Sequence, residues 1–94
     1  MEIKTNKGVL KYRLPDISEG YDYLSLVDVI NTSSDVFIIK SKIIKKMGEL
    51  LEFKELGYET YQDVLNDKEN MREALSEISK NIFDDIIELL GKKI

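Results

Sequence analysis

Apolar residues recur late in the chain at Met71, Leu75, Ile78, Ile82, Ile86 and Leu89, at spacings of 4, 3, 4, 4 and 3. This is the strongest periodic signal present. It predicts one face of an α-helix from about Lys68 to about Leu90, capped by Asn66 or Asp67 and ended by Gly91. A second helical pattern covers roughly Val36 to Phe53. Val36, Ile39, Ile43, Met47 and Leu50 form one stripe, and Phe37, Ile44 and Leu51 form another beside it. Two stripes place this helix centrally in a bundle. An earlier helix is predicted from Ile17 to about Ile30, with Ile17, Tyr21, Leu24 and Val27 on its core face and Gly20 weakening it slightly. Asp16 and Glu19 have capping-box spacing at its start. Residues 31–35 form a polar break. Gly57 is a helix stop, and Thr60 opens a short helical segment to about Asn66.

The N-terminal pattern has a different period. Glu2-Ile3-Lys4-Thr5 alternates, Asn6-Lys7-Gly8 supplies a turn, and Leu10, Tyr12 and Leu14 then share one face before Pro15. Residues 2–14 therefore predict a β-hairpin, which needs a helical layer or another chain to stabilise it. The fold class is α+β, mostly α: one domain over residues 1–94, with the hairpin followed over 16–94 by three to four helices.

Composition then limits the chemistry. The 94 residues contain no His and no Cys. The usual proton shuttle near neutral pH, the thiolate nucleophile and the soft metal ligands are all missing. The expectation is a protein that is not an enzyme and takes no cofactor or metal. The net charge is −4, and it is unevenly spread: residues 1–54 carry +1 and residues 55–94 carry −5. An acidic half with few arginines opposes nucleic-acid binding. No apolar run reaches the roughly 20 residues of a membrane span, and the N-terminus lacks the apolar stretch of a signal peptide. The expected location is cytoplasmic.

Several clusters have simple structural readings. Asp84, Asp85 and Glu88 crowd the last helix, but without ligands from other helices they read as a solvated face. Lys40, Lys42, Lys45 and Lys46 line the polar side of the second long helix, to pair with the acidic last helix or to face water. Ser33, Ser34, Ser76 and Ser79 read as caps and polar surface, since a nucleophilic serine needs a base. The five glycines are isolated and form no phosphate loop. One feature exceeds what a bundle core needs. Phe83, Ile87, Leu90 and Ile94, spaced 4, 3 and 4, widen the apolar arc of the last helix near its end. Burial against the second long helix is one reading. A surface for a partner or for self-association is the other.

The layout as a whole has a counterpart. A short strand pair ends in Tyr12-Arg13-Leu14-Pro15. Gly57-Tyr58-Glu59-Thr60-Tyr61-Gln62-Asp63-Val64-Leu65-Asn66-Asp67 leads into a long acidic amphipathic helix, and the chain closes on Gly91-Lys92-Lys93. This arrangement resembles the small tail assembly chaperones of long-tailed bacteriophages. The resemblance implies a non-enzymatic protein that binds tape-measure or tail-tube subunits in the host cytoplasm and keeps them soluble before the tail polymerises. It also implies a longer, frameshifted form in many members. Two other readings stand beside it: a structural neck or tail protein of the virion, whose hairpin adds a strand to a neighbouring subunit, and a small cytosolic regulator or inhibitor.

Overall fold

A computed structural model describes the backbone of residues 1–27 and 36–93, and the side chains of residues 1–23 and 40–88. The chain is α+β and mostly helical. Two strands, β1 (Glu2–Thr5) and β2 (Gly8–Tyr12), form the expected hairpin. Thr5 Oγ1 accepts from the Lys7 amide at 3.1 Å and donates to the Gly8 carbonyl at 2.7 Å, which closes the turn. Gly8 takes φ +129°, and a Cβ there would stand 3.1 Å from Leu56. Glycine meets both demands. The sheet's inner face carries Leu10 and Tyr12, both buried, with Ile3 and Leu14 packed against the core.

Helix α1 (Ile17–Val27) starts on the predicted capping box. Asp16 Oδ1 accepts from the Glu19 amide at 2.8 Å, and Glu19 Oε1 accepts from the Asp16 amide at 3.0 Å. The predicted core face of this helix is corrected. Ile17 and Tyr21 are 61% and 47% exposed, whereas Tyr23 is fully buried. The buried face is the one that packs against α2 and α4, and it carries Tyr23. Leu24 and Val27 lie outside the described side chains, as does the predicted continuation to Ile30 and the polar break at 31–35.

Helix α2 (Val36–Lys46) ends seven residues before the predicted Phe53. A 3₁₀ turn over Met47–Leu50 follows, then a strand β3 (Leu51–Glu52) that pairs antiparallel with β2, Lys11 opposite Glu52 and Tyr12 opposite Leu51. The hairpin is thus part of a three-stranded sheet in the order β1-β2-β3. The cause lies in two residues. The Tyr61 hydroxyl donates to the Ile44 carbonyl, the acceptor that the Gly48 amide would use if the helix continued. Gly48 is also a poor helix former, and its missing Cβ leaves room for the Tyr61 ring, whose Cγ would otherwise be 2.5 Å away. Ile43, Met47, Leu50 and Leu51 are buried as their stripes require, and Ile44 is half-buried. Val36, Phe37 and Ile39 lie outside the described side chains.

A further 3₁₀ turn over Lys54–Leu56 stops at Gly57, which takes φ +94°. Helix α3 (Tyr61–Asn66) opens on a complete capping box between Thr60 and Asp63. Helix α4 (Lys68–Lys93) is the long element, and it continues through Gly91 instead of ending there. A single glycine near a helix end costs only about 1 kcal/mol, too little to stop it. At 26 residues, α4 sets the 41 Å long axis of the molecule. Met71, Leu75, Ile78, Ile82 and Ile86 are all buried along it, facing both the sheet and α2.

Candidate interaction surfaces

The last turns of α4 separate neighbouring residues sharply. Ile82 and Ile86 are buried. Phe83 is half-buried against the same core. Ile87, one position beyond Ile86, is 42% exposed. The 100° step between successive helical residues carries it away from the core. Leu90 and Ile94 lie outside the described side chains, so the structure locates only half of the four-residue stripe. Asp84 and Glu88 are exposed and Asp85 is half-exposed beside it. Among the described residues, no group of three or more carboxylates is placed to hold a metal ion.

The lysines of α2 are distributed, not clustered on the acidic helix. Lys42 and Lys45 are exposed. Lys46 Nζ stands 5.2 Å from the centre of the Tyr23 ring, within cation–π range. Lys40 borders an open depression of about 430 Å³ shared with Arg72, Glu73, Ser76, Glu77 and Lys80. No ion pair joins Lys40, Lys42, Lys45 or Lys46 to α4 among the described residues. Ser79 is buried and donates to the Ser76 carbonyl at 2.7 Å, so it acts as a helix-internal hydroxyl. Ser33 and Ser34 lie outside the described residues.

Two polar networks extend beyond the predicted caps at Asp16 and Asp67. In the first, Tyr58 donates to Asp67 Oδ2 at 2.5 Å, and the Asn70 side-chain amide reaches both Asp67 oxygens at 3.1 and 3.0 Å. The Tyr58 and Asn70 hydrogen bonds hold the Asp67 carboxyl below its ordinary range. Burial, and then the bond to Asp67, push the Tyr58 hydroxyl up to about 12. Lys7 Nζ lies 5.9 Å from the Tyr58 ring centre, tying the hairpin turn to this junction of α3 and α4. In the second, Arg13 makes a two-pronged contact to Glu19 at 2.6 and 2.9 Å. That contact, with the Asp16 amide, lowers the Glu19 carboxyl to about 2. Both networks are joints between elements. Their groups are engaged with one another, which leaves them no free nucleophile or base.

Deeper in the core, Tyr12 reaches α4, where Asn81 Nδ2 donates to its hydroxyl at 2.9 Å. The Tyr23 hydroxyl is buried without a hydrogen-bond partner. Burial pushes it above the ordinary tyrosine range. Other concave features among the described residues are open grooves. One of about 480 Å³ runs between the end of β1 and the start of α4, lined by Lys4, Thr5, Asn6 and residues 68–70 and 72–74. Another, of about 680 Å³, lies over Met1, Lys11, Arg13 and Glu49–Glu52. Among the described residues, no helix is long and apolar enough to cross a membrane.

Comparison with protein-family models, with curated proteins and with solved structures returns no match to this chain.

Proposed function

We propose that this chain is a non-catalytic protein-binding module that works as an assembly chaperone of the phage-tail kind, with tape-measure or tail-tube subunits as its partners. The observation that supports this reading is Ile87, 42% exposed beside the fully packed Ile82 and Ile86 on a helix that spans the molecule. A chaperone for aggregation-prone subunits needs apolar surface on a body that stays soluble. Asp84 and Glu88 supply the charged surround at the same helix end. An apolar contact rimmed by charge is the pattern expected of a protein-binding patch. The absence of His and Cys, with the polar networks consumed as joints, supports a role without chemistry on the partner.

The test is co-expression. The chain is produced together with the tape-measure protein of its own genome, and the soluble fraction of that protein is measured. The reading expects more soluble tape-measure protein and recovery of both chains in one complex. An unchanged soluble fraction with no complex rejects it.

A second reading has its own observation. Among the described residues the outer edge of β1 has no strand partner, and an open edge suits a structural subunit that adds strands to its neighbours. Recovery of the chain from purified particles would favour that reading over a chaperone.

A further inference from the structure

The outer edge of β1 carries a pattern that matches itself. Met1 and Tyr12 exchange backbone hydrogen bonds at 2.7 and 2.9 Å, and Ile3 opposite Leu10 and Thr5 opposite Gly8 follow at two-residue steps. In an antiparallel pair, residues that exchange bonds alternate with residues whose N–H and C=O point away. Met1, Ile3 and Thr5 therefore face β2, and the backbone groups of Glu2 and Lys4 face outward. Both side chains are exposed, on the sheet face opposite Ile3. On that face Glu2, Lys11 and Glu52 stand in register across the three strands, alternating in sign.

We propose that β1 pairs antiparallel with β1 of a second copy of this chain, about a twofold axis at Ile3, to give a continuous six-stranded sheet. In this register Glu2 lies opposite Lys4 of the second copy, and Lys4 lies opposite its Glu2. Each such pair exchanges two backbone hydrogen bonds, using all four outward groups of each strand. The charges attract at both pairs, and the Glu52–Lys11–Glu2 row continues into Lys4 of the second copy without a change of alternation. Ile3 meets Ile3 on the inner face. The neighbouring registers are disfavoured, since a shift of two residues puts Glu2 opposite Glu2 or Lys4 opposite Lys4. Charged residues usually guard an exposed edge. A guard of one sign would repel a second copy, whereas opposite signs two residues apart select one. Glu2 and Lys4 are exposed along the edge, and Lys4 borders an open groove towards the first turns of α4. A contact between two such short strands falls below the ~1,200 Å² of a stable interface, so the dimer is weak and dissociates on dilution.

Sedimentation equilibrium of the full chain up to ~1 mM tests this, a range suited to a weak contact. The wild type should show a reversible monomer–dimer equilibrium. Lys4→Glu should weaken it by ~10-fold or more through two like-charge pairs. Glu2→Lys should do the same. An equimolar mixture of the two variants should associate again as a heterodimer, because each supplies the charge the other lacks. Circular dichroism verifies that each variant remains folded, and Lys4 faces the uncharged Val9 in the register, so its reversal leaves the hairpin's own charge pairs intact. A wild type that stays monomeric at the highest concentration overturns the proposal. So does a dimer that Lys4→Glu leaves unchanged, or variants that fail to associate when mixed. Loss of the dimer in Ile87→Ser with retention in Lys4→Glu would place self-association on α4 and would also overturn it. The outcome bears on β1 alone and leaves the chaperone reading to its own test.

Discussion

Alanine at Ile86 and alanine at Ile87 remove the same atoms from adjacent positions of one helix, yet the two substitutions should differ severalfold in cost. Ile86 is 2% exposed within the core cluster. Truncating a fully buried isoleucine costs about 2–5 kcal/mol, the loss of transfer free energy plus the cavity left behind. Ile87 is 42% exposed. A fully buried side chain of this size contributes about 3 kcal/mol at most, so the covered part of Ile87 contributes roughly 1–1.5 kcal/mol. Truncation to alanine keeps part of that, for a net cost of about 1 kcal/mol. A domain of this size has a stability of about 5–10 kcal/mol. Ile87→Ala should therefore remain folded at room temperature, with Tm lowered by about 4–8 °C, while Ile86→Ala loses two to five times as much. Urea denaturation followed by helical circular dichroism, at matched and low protein concentration, measures both. Equal losses at the two positions would show that Ile87 is core, and the distinction between packing face and binding face on α4 would fail.

Three further perturbations probe the joints. Gly48→Ala forces a Cβ against the Tyr61 ring, which its hydroxyl bond to Ile44 holds in place, and should cost about 1–3 kcal/mol in denaturant unfolding; a stabilised variant would contradict the close approach. The Glu19 carboxyl is lowered to about 2 in the folded chain, so its contribution is present above the ordinary value near 4.3 and disappears as pH falls from ~4 towards ~2. The acid limb of stability should flatten in Glu19→Gln, and an unchanged limb would argue that Arg13 and Glu19 are not engaged in solution. The Tyr58 hydroxyl is raised to about 12, so its neutral form is favoured by folding and that contribution is lost as pH rises from ~10 to ~12. A spectrophotometric titration of Tyr58→Phe should lack one late-ionising tyrosine; an identical profile would contradict the Tyr58–Asp67 bond.

What could be read from the chain follows the range of the interactions involved. The hairpin turn, the Asp16 and Thr60 caps and the buried stripe of α4 depend on residues within four positions of one another, and the pattern of side chains displays them directly. The end of α2 was hidden because it depends on Tyr61, seventeen residues away, reaching Ile44, and on a glycine whose missing Cβ matters only once that ring is in place. Gly48 inside an otherwise apolar helical pattern was the available signal. Strand β3 was hidden for the same reason, since two residues have no period. The face of α1 differs from the expectation because helical spacing offers more than one stripe, and the choice of Tyr23 depends on distant partners, the surfaces of α2 and α4 and the Lys46 ammonium over its ring. Gly91 illustrates a local rule overridden, since α4 continues past it. For the candidate surface, the widened arc was legible at Phe83 and Ile87. Their separation into a half-buried and a more exposed residue was not, because it depends on how far the neighbouring elements extend along α4.

The most direct test of the chaperone reading is a binding titration of the purified chain against a purified tape-measure segment from the same genome, by isothermal calorimetry, with wild type and Ile87→Ser in parallel. The account predicts saturable binding by the wild type with a negative heat-capacity change, the mark of buried apolar surface. It predicts affinity lowered by ~10-fold or more in Ile87→Ser, whose circular dichroism should match the wild type, since removing a desolvated apolar anchor costs more than 1 kcal/mol of binding. Absence of wild-type binding, or equal affinity in the two proteins, would contradict it.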